Sequence, residues 1–97
     1  MNANLSFQKA LHQLDRGMLQ NATETLEQTI LLAKDENDLV TLAGALCCLG
    51  DFLVQTGEAD HARKVLEELL ALPVEGDLFD FELNRGKQLL AQISKAG

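Results

Sequence analysis

Ninety-seven residues, 46% of them apolar, leave room for one hydrophobic core, and the lack of tryptophan and tyrosine rests that core on leucine and alanine. Eight basic against fifteen acidic residues, a net charge of −7, exclude the basic stripe that nucleic acid demands and oppose an anionic membrane surface. No apolar run approaches the roughly 18–20 residues that cross a bilayer, and Met1-Asn2-Ala3-Asn4 opens without the basic-then-apolar pattern of a secretion signal, so one cytoplasmic domain over residues 1–97 is expected.

Apolar spacing of three and four predicts helices throughout. The first runs from about Asn4 to Asp15, with Phe7, Ala10, Leu11 and Leu14 on one stripe. Asp15-Arg16-Gly17 breaks it, glycine supplying a left-handed turn. The second, about Leu19 to Lys34, turns Ala22, Leu26, Ile30 and Ala33 inward, and Asp35-Glu36-Asn37 is a polar connection. The third, about Asp38 to Gln55, is apolar nearly all round (Leu39, Val40, Leu42, Ala43, Leu46, Leu49, Leu53), the pattern of a covered helix. Gly57 ends it.

The fourth helix spans about Ala59 to Leu72, with Ala62, Val65, Leu66, Leu69 and Leu70 inward, and Pro73 stops it. Gly76 opens the next turn and Asp77 is the expected N-cap of the fifth helix, about 77–95, whose Phe79, Leu83, Leu90 and Ile93 share a face with Gly86 on the intervening turn. Acids gather at its start (Asp77, Asp80, Glu82) and bases later (Arg85, Lys87, Lys95), as the helix dipole favours. No strand-like alternation competes with this reading. Across the chain the acids concentrate in residues 37–76, two basic groups against seven acidic, which favours a basic or neutral partner.

The chain also repeats itself. A shift of 40 residues lays 14–34 on 54–74, matching Gly17 with Gly57, Ala22 with Ala62, Leu26 with Leu66, Glu27 with Glu67 and Leu32 with Leu72. Leu14 against Val54 and Ile30 against Leu70 keep the apolar character. A helical hairpin is thus expected twice, over about 4–36 and 38–73.

At Leu46-x2-Leu49-Gly50-x2-Leu53-x3-Gly57-x4-Ala62-x3-Leu66-x2-Leu69, closing with Leu72-Pro73, the sequence resembles a tetratricopeptide repeat. In that family a small residue of helix A admits helix B, and a later alanine returns the approach; Gly50 and Ala62 take those places here. The first unit matches from Gly17 onward, with Ala10 in place of the helix-A glycine and Leu19 where an aromatic is common. The 40-residue spacing exceeds the usual period of about 34. The resemblance implies an all-α, five-helix right-handed superhelix of antiparallel helix pairs, its last helix a solvating cap.

The resemblance further implies a non-enzymatic module, an adaptor or chaperone, that holds a peptide or short helix of another protein in a concave groove lined by the A helices. Carried over by register, the groove residues are Asn4, Phe7, Gln8 and Leu11 of the first helix, Gly44, Cys47, Cys48 and Asp51 of the third, and Asn84, Lys87 and Gln88 of the fifth. Cys48 and Asp51 do not fit the family branch that clamps C-terminal carboxylates with Lys, Asn and Arg. The alternative is a homodimer joined through apolar repeat ends, Leu5 and Phe7 at one end or Phe81 and Leu89 at the other.

Nothing in the sequence points to catalysis, a cofactor or a metal. His12 and His61 lie on different helices without a Glu or Cys at ligand spacing, and both are expected at the surface. Ser6-x-x-Lys9 matches a serine–lysine pair only as a short tetrapeptide. Asn21-Ala22-Thr23 is a sequon in letters alone, and Glu67-Glu68 and Asp35-Glu36 are solvated charge pairs. Adjacent helical residues point about 100° apart, so Cys47 and Cys48 are poorly placed to bridge each other, and a reducing setting is expected.

Overall fold

The computed structural model describes residues 2–73 and 76–96. These form five helices, α1 (Ala3–Asp15), α2 (Leu19–Glu36), α3 (Leu39–Gln55), α4 (Ala59–Leu70) and α5 (Asp80–Ala96), with no strand among the described residues. The chain divides into two compact units, Met1–Ala45 and Leu46–Gly97, the division falling inside α3.

In the first unit α1 packs on α2. Asn2 caps α1 by accepting from the Leu5 N–H at 2.8 Å, and the Ala3 N–H reaches the Glu36 carboxylate oxygens at 3.2 and 3.3 Å. Ser6 and Thr29 join their hydroxyls at 2.6 Å in the buried seam between the helices. Contacts that descend along α2 as they ascend α1 make the pair antiparallel. The Thr29 hydroxyl spends its proton on the Thr25 carbonyl at 2.7 Å, so Ser6 donates to Thr29 and both groups are satisfied.

The expected stripe on α1 shifts by one face. Ala3, Ser6 and Ala10 are buried, Phe7 and Leu14 are half-buried, and Leu11 stays 43% exposed. Small side chains take the seam because α2 comes close there. On α2 the expected Ala22, Leu26, Ile30 and Ala33 are all buried, joined by Thr25 and Thr29.

In the second unit α4 packs on α5, and α3 meets α4 at Gly50. A Cβ on Gly50 would sit 2.8 Å from the Leu66 Cγ, too close for any side chain, so glycine permits this approach. The core of this unit is built from Leu46, Leu49, Leu53, Ala62, Val65, Leu66, Leu69, Phe79, Leu89 and Ile93. Each fully buried leucine among them contributes on the order of 2–3 kcal/mol by leaving water. Val40, on the helix expected to be covered on several sides, is 53% exposed in the first turn of α3.

The two hairpins close in the same way. The N–H of Gly17 bonds the Leu14 carbonyl at 3.0 Å and that of Met18 bonds Gln13 at 2.8 Å; forty residues on, Gly57 bonds Val54 at 3.2 Å and Glu58 bonds Leu53 at 2.9 Å. This is the Schellman closure, which needs a left-handed residue after the helix. Gly17 (φ 76°) and Gly57 (φ 82°) supply it. Met18 and Glu58 then enter the next helix with nearly equal dihedrals, ψ 68° and 64°. Burial keeps the same step: Ala3 and Ala43, Ser6 and Leu46, Ala10 and Gly50, Ala22 and Ala62, Leu26 and Leu66, Thr29 and Leu69 are all buried.

Three boundaries differ from the sequence expectation. Helix α2 continues through Asp35 and Glu36, because Asn37 adopts φ 56° and closes the helix with bonds from Asn37 to Lys34 and Asp38 to Ala33. Asp38 then caps α3 by accepting from the Thr41 N–H at 3.1 Å. Helix α4 ends at Leu70 instead of Leu72, since the residue before Pro73 is pushed out of the helical region. Helix α5 begins at Asp80, and the Phe79 carbonyl rather than Asp77 starts its bonding ladder, by accepting from Leu83 at 3.0 Å.

Candidate functional site

The first unit contributes one face of α1. Asn4, Gln8 and Leu11 recur at helical spacing and are all exposed, and Gln8 donates its amide to Asn4 at 2.7 Å. Phe7 turns aside from that line. Its ring lies against Gly44, where an added Cβ would stand 2.9 Å from Cε2, so Phe7 and Gly44 are a packing pair between α1 and the start of α3. A partner would meet Asn4, Gln8 and Leu11 before either of them.

The second unit gathers Cys47, Cys48 and Asp51 on α3 near Arg85 on α5. The Arg85 guanidinium reaches the Asp51 carboxylate at 3.2 and 3.3 Å and also donates to Gln88 at 3.5 Å; Gln55 donates to Asp51 at 3.0 Å. Both charged side chains keep partial exposure, 37% for Arg85 and 29% for Asp51, so the bridge contributes about 0–1 kcal/mol and mainly sets geometry. Asn84, Lys87 and Gln88 are exposed along α5. Arg85 is a residue that the sequence reading assigned only to the helix dipole; its position three before Gln88 puts it on the same side of α5.

Cys47 is buried and Cys48 half-buried, and both are free thiols. Burial, with the nearby carboxylates of Glu82 and Asp51 and the neighbouring Cys48 adding to it against a lowering by Arg85, pushes Cys47 up to about 11. Burial, then Asp51, raises Cys48 to about 11 as well. Thiols that hold their protons this firmly are poor nucleophiles at neutral pH. With 7% of its surface exposed, Cys47 gives a partner almost nothing to touch.

A depression of about 360 Å³ opens in the second unit beside the α3–α4 turn, lined by Val54, Gly57, Ala59, Asp60, Arg63, Gln92 and Ile93. It has no counterpart in the expected groove, and no spacing in the sequence announces it, because residues 54–63 around the α3–α4 turn are completed by Gln92 and Ile93, some 30 residues on. His12 and His61 are exposed, and the Ser6 hydroxyl is buried on Thr29 rather than turned toward Lys9. Among the described residues no group of three His, Cys, Asp or Glu could hold a metal ion, and no helix is long and apolar enough to cross a membrane.

Of the apolar residues expected at a dimer contact, Leu5 is 53% and Phe81 74% exposed, whereas Leu89 is 1% exposed and belongs to the core of the second unit. Leu89 is thereby removed from any such contact, since α5 turns it toward the interior with Ile93 one turn on. Comparison with family models, with curated proteins and with solved structures finds no match to this chain.

Proposed function

We propose that the chain is a tetratricopeptide-like, non-enzymatic module that binds a peptide or short helix of another protein along the exposed faces of its A helices, as an adaptor or chaperone. One observation carries this reading: two helical hairpins close with the same hydrogen bonds, and several matched positions, Ala22 with Ala62 and Leu26 with Leu66 among them, are buried at a 40-residue step. Repetition of one helix pair is the sequence habit of repeat proteins, whose usual work is to present an extended face to a polypeptide. The uncharged, hydrogen-bonding character of Asn4, Gln8, Asn84 and Gln88 suits a backbone ligand better than a phosphate or a lipid. Two free thiols support a reducing, cytoplasmic setting.

The test is affinity capture from the native cell, read by mass spectrometry, with the wild type beside Gln8→Arg and Lys87→Glu. Both residues are exposed, so circular dichroism should be unchanged. Loss of the same captured protein from both variants is the expected result. A capture profile identical across the three proteins overturns the reading.

A further inference from the structure

The segment that opens α5 carries two large apolar side chains that the fold does not use. Phe79 is 2% exposed and serves the core, while on either side of it Leu78 is 62% and Phe81 74% exposed. Leu78 lies in the turn before α5 and Phe81 in its first turn, three residues apart in the chain. An isolated exposed leucine needs no explanation. A leucine and a phenylalanine both left at this exposure are a different matter, because each forgoes the gain of leaving water.

The surroundings of the pair are acidic. Asp77 and Asp80 are exposed and Glu82 is half-buried, and none of the three side chains has a hydrogen bond or ion pair among the described residues. The nearest base along the helix, Arg85, is taken by Asp51 at 3.2 Å. The dipole of α5 accounts for acids in its first turn; it does not account for the apolar pair among them.

We infer that Leu78 and Phe81, rimmed by Asp77, Asp80 and Glu82, form a docking site for a polypeptide segment that pairs apolar side chains with flanking lysines or arginines. The occupant follows from charge. A second copy meeting this patch through a two-fold axis would bring three carboxylates against three more, on a chain that already carries −7. A lipid surface or nucleic acid would add further negative charge. A basic amphipathic segment satisfies both halves of the site, with its apolar face on Leu78 and Phe81 and its cations on the rim. This rests on the proposed polypeptide binding for the existence of a partner, but the patch lies outside the residues named for that surface.

The experiment uses three fluorescein-labelled 16-residue peptides, one of leucine and lysine in amphipathic helical order, one of leucine and glutamate, one of serine and lysine, followed by anisotropy against the full chain. The leucine–lysine peptide is expected to bind, to weaken at least about tenfold in Phe81→Ser and Leu78→Ser, to weaken with added salt, and to be unaffected by Gln8→Arg. Unchanged melting curves show that the variants fold. Equal affinity for wild type and Phe81→Ser overturns the inference, and so does serine–lysine binding as tightly as leucine–lysine, which would leave only bulk charge. Concentration-dependent self-association that vanishes in Phe81→Ser also overturns it, in favour of a second copy. None of these outcomes touches the Gln8 and Lys87 capture test, so the two readings fail separately.

Discussion

At the scale of single residues, the places where the two hairpins disagree are the most informative. Gln13 stands where the second hairpin has Leu53, which is 2% exposed. The Gln13 side-chain oxygen is buried without a hydrogen-bond partner among the described residues. A buried acceptor left unpaired costs about 1–3 kcal/mol, so Gln13→Leu is expected to raise stability by about 1 kcal/mol, visible as a higher urea midpoint at constant slope. A lower midpoint would mean the amide is satisfied in solution. Ser6 and Thr29 tell the opposite story: they occupy the positions of Leu46 and Leu69, and each hydroxyl is bonded.

The cysteines carry a second residue-scale prediction. With both thiols pushed up to about 11, iodoacetamide should label the native chain slowly at pH 8, and its rate should keep rising toward pH 11. The linkage has a definite sign. A thiol raised above its ordinary value of 9.0 contributes stability that is fully present below that pH and is lost as pH rises through about 11, because the unfolded chain gives up its proton first. Native labelling as fast as in guanidinium would contradict the burial that causes the shift.

At the scale of elements, the left-handed closures dominate. Gly57→Ala is expected to cost about 1 kcal/mol or more, since alanine strains at φ 82°. Gly57→Asn should cost less, because Asn37 already makes the same closure at φ 56°. Equal melting temperatures for both variants and the wild type would show the closure to be dispensable. These closures also mark how far the sequence could be read. Gly17 and Gly57 were legible as helix ends because glycine at such a place has few other uses. Asn37 was not, since asparagine in a polar run signals only a loop, which leaves Asp35 and Glu36 outside the expected second helix.

Burial was legible on α2, where the stripe is regular, and misread on α1, where Phe7 and Leu11 outrank Ala3 and Ser6 in hydrophobicity but the close seam admits only the smaller pair. The same limit applied to the surface residues. Asn4, Gln8, Asn84, Lys87 and Gln88 emerged exposed as a polar helix face should, whereas the bridge between Asp51 and Arg85 joins residues 34 positions apart and no local pattern foretells it.

For the whole molecule, charge sets the behaviour. With a pI near 4.6 and −7 at neutral pH, the chain repels itself in ordinary buffers. Light scattering is expected to report monomers at pH 7.5 and association as the pH falls toward 4.6. A concentration-dependent dimer at pH 7.5 that persists in high salt would instead require an apolar contact, with Leu5 the exposed candidate in the first unit. The acidic balance also fits the patch at the start of α5, since a basic segment is drawn in from a distance before Phe81 makes any contact.

The 40-residue step has a consequence for building with this chain. A duplicate of residues 3–42 spliced in behind Leu42 would lead Leu42 into Ala3 just as it now leads into Ala43, and the added hairpin would inherit a finished ruler for where to turn. Removing one residue at that joint would turn the helix beyond it by about 100° out of step with the added hairpin. The chain can therefore be lengthened only in whole strides.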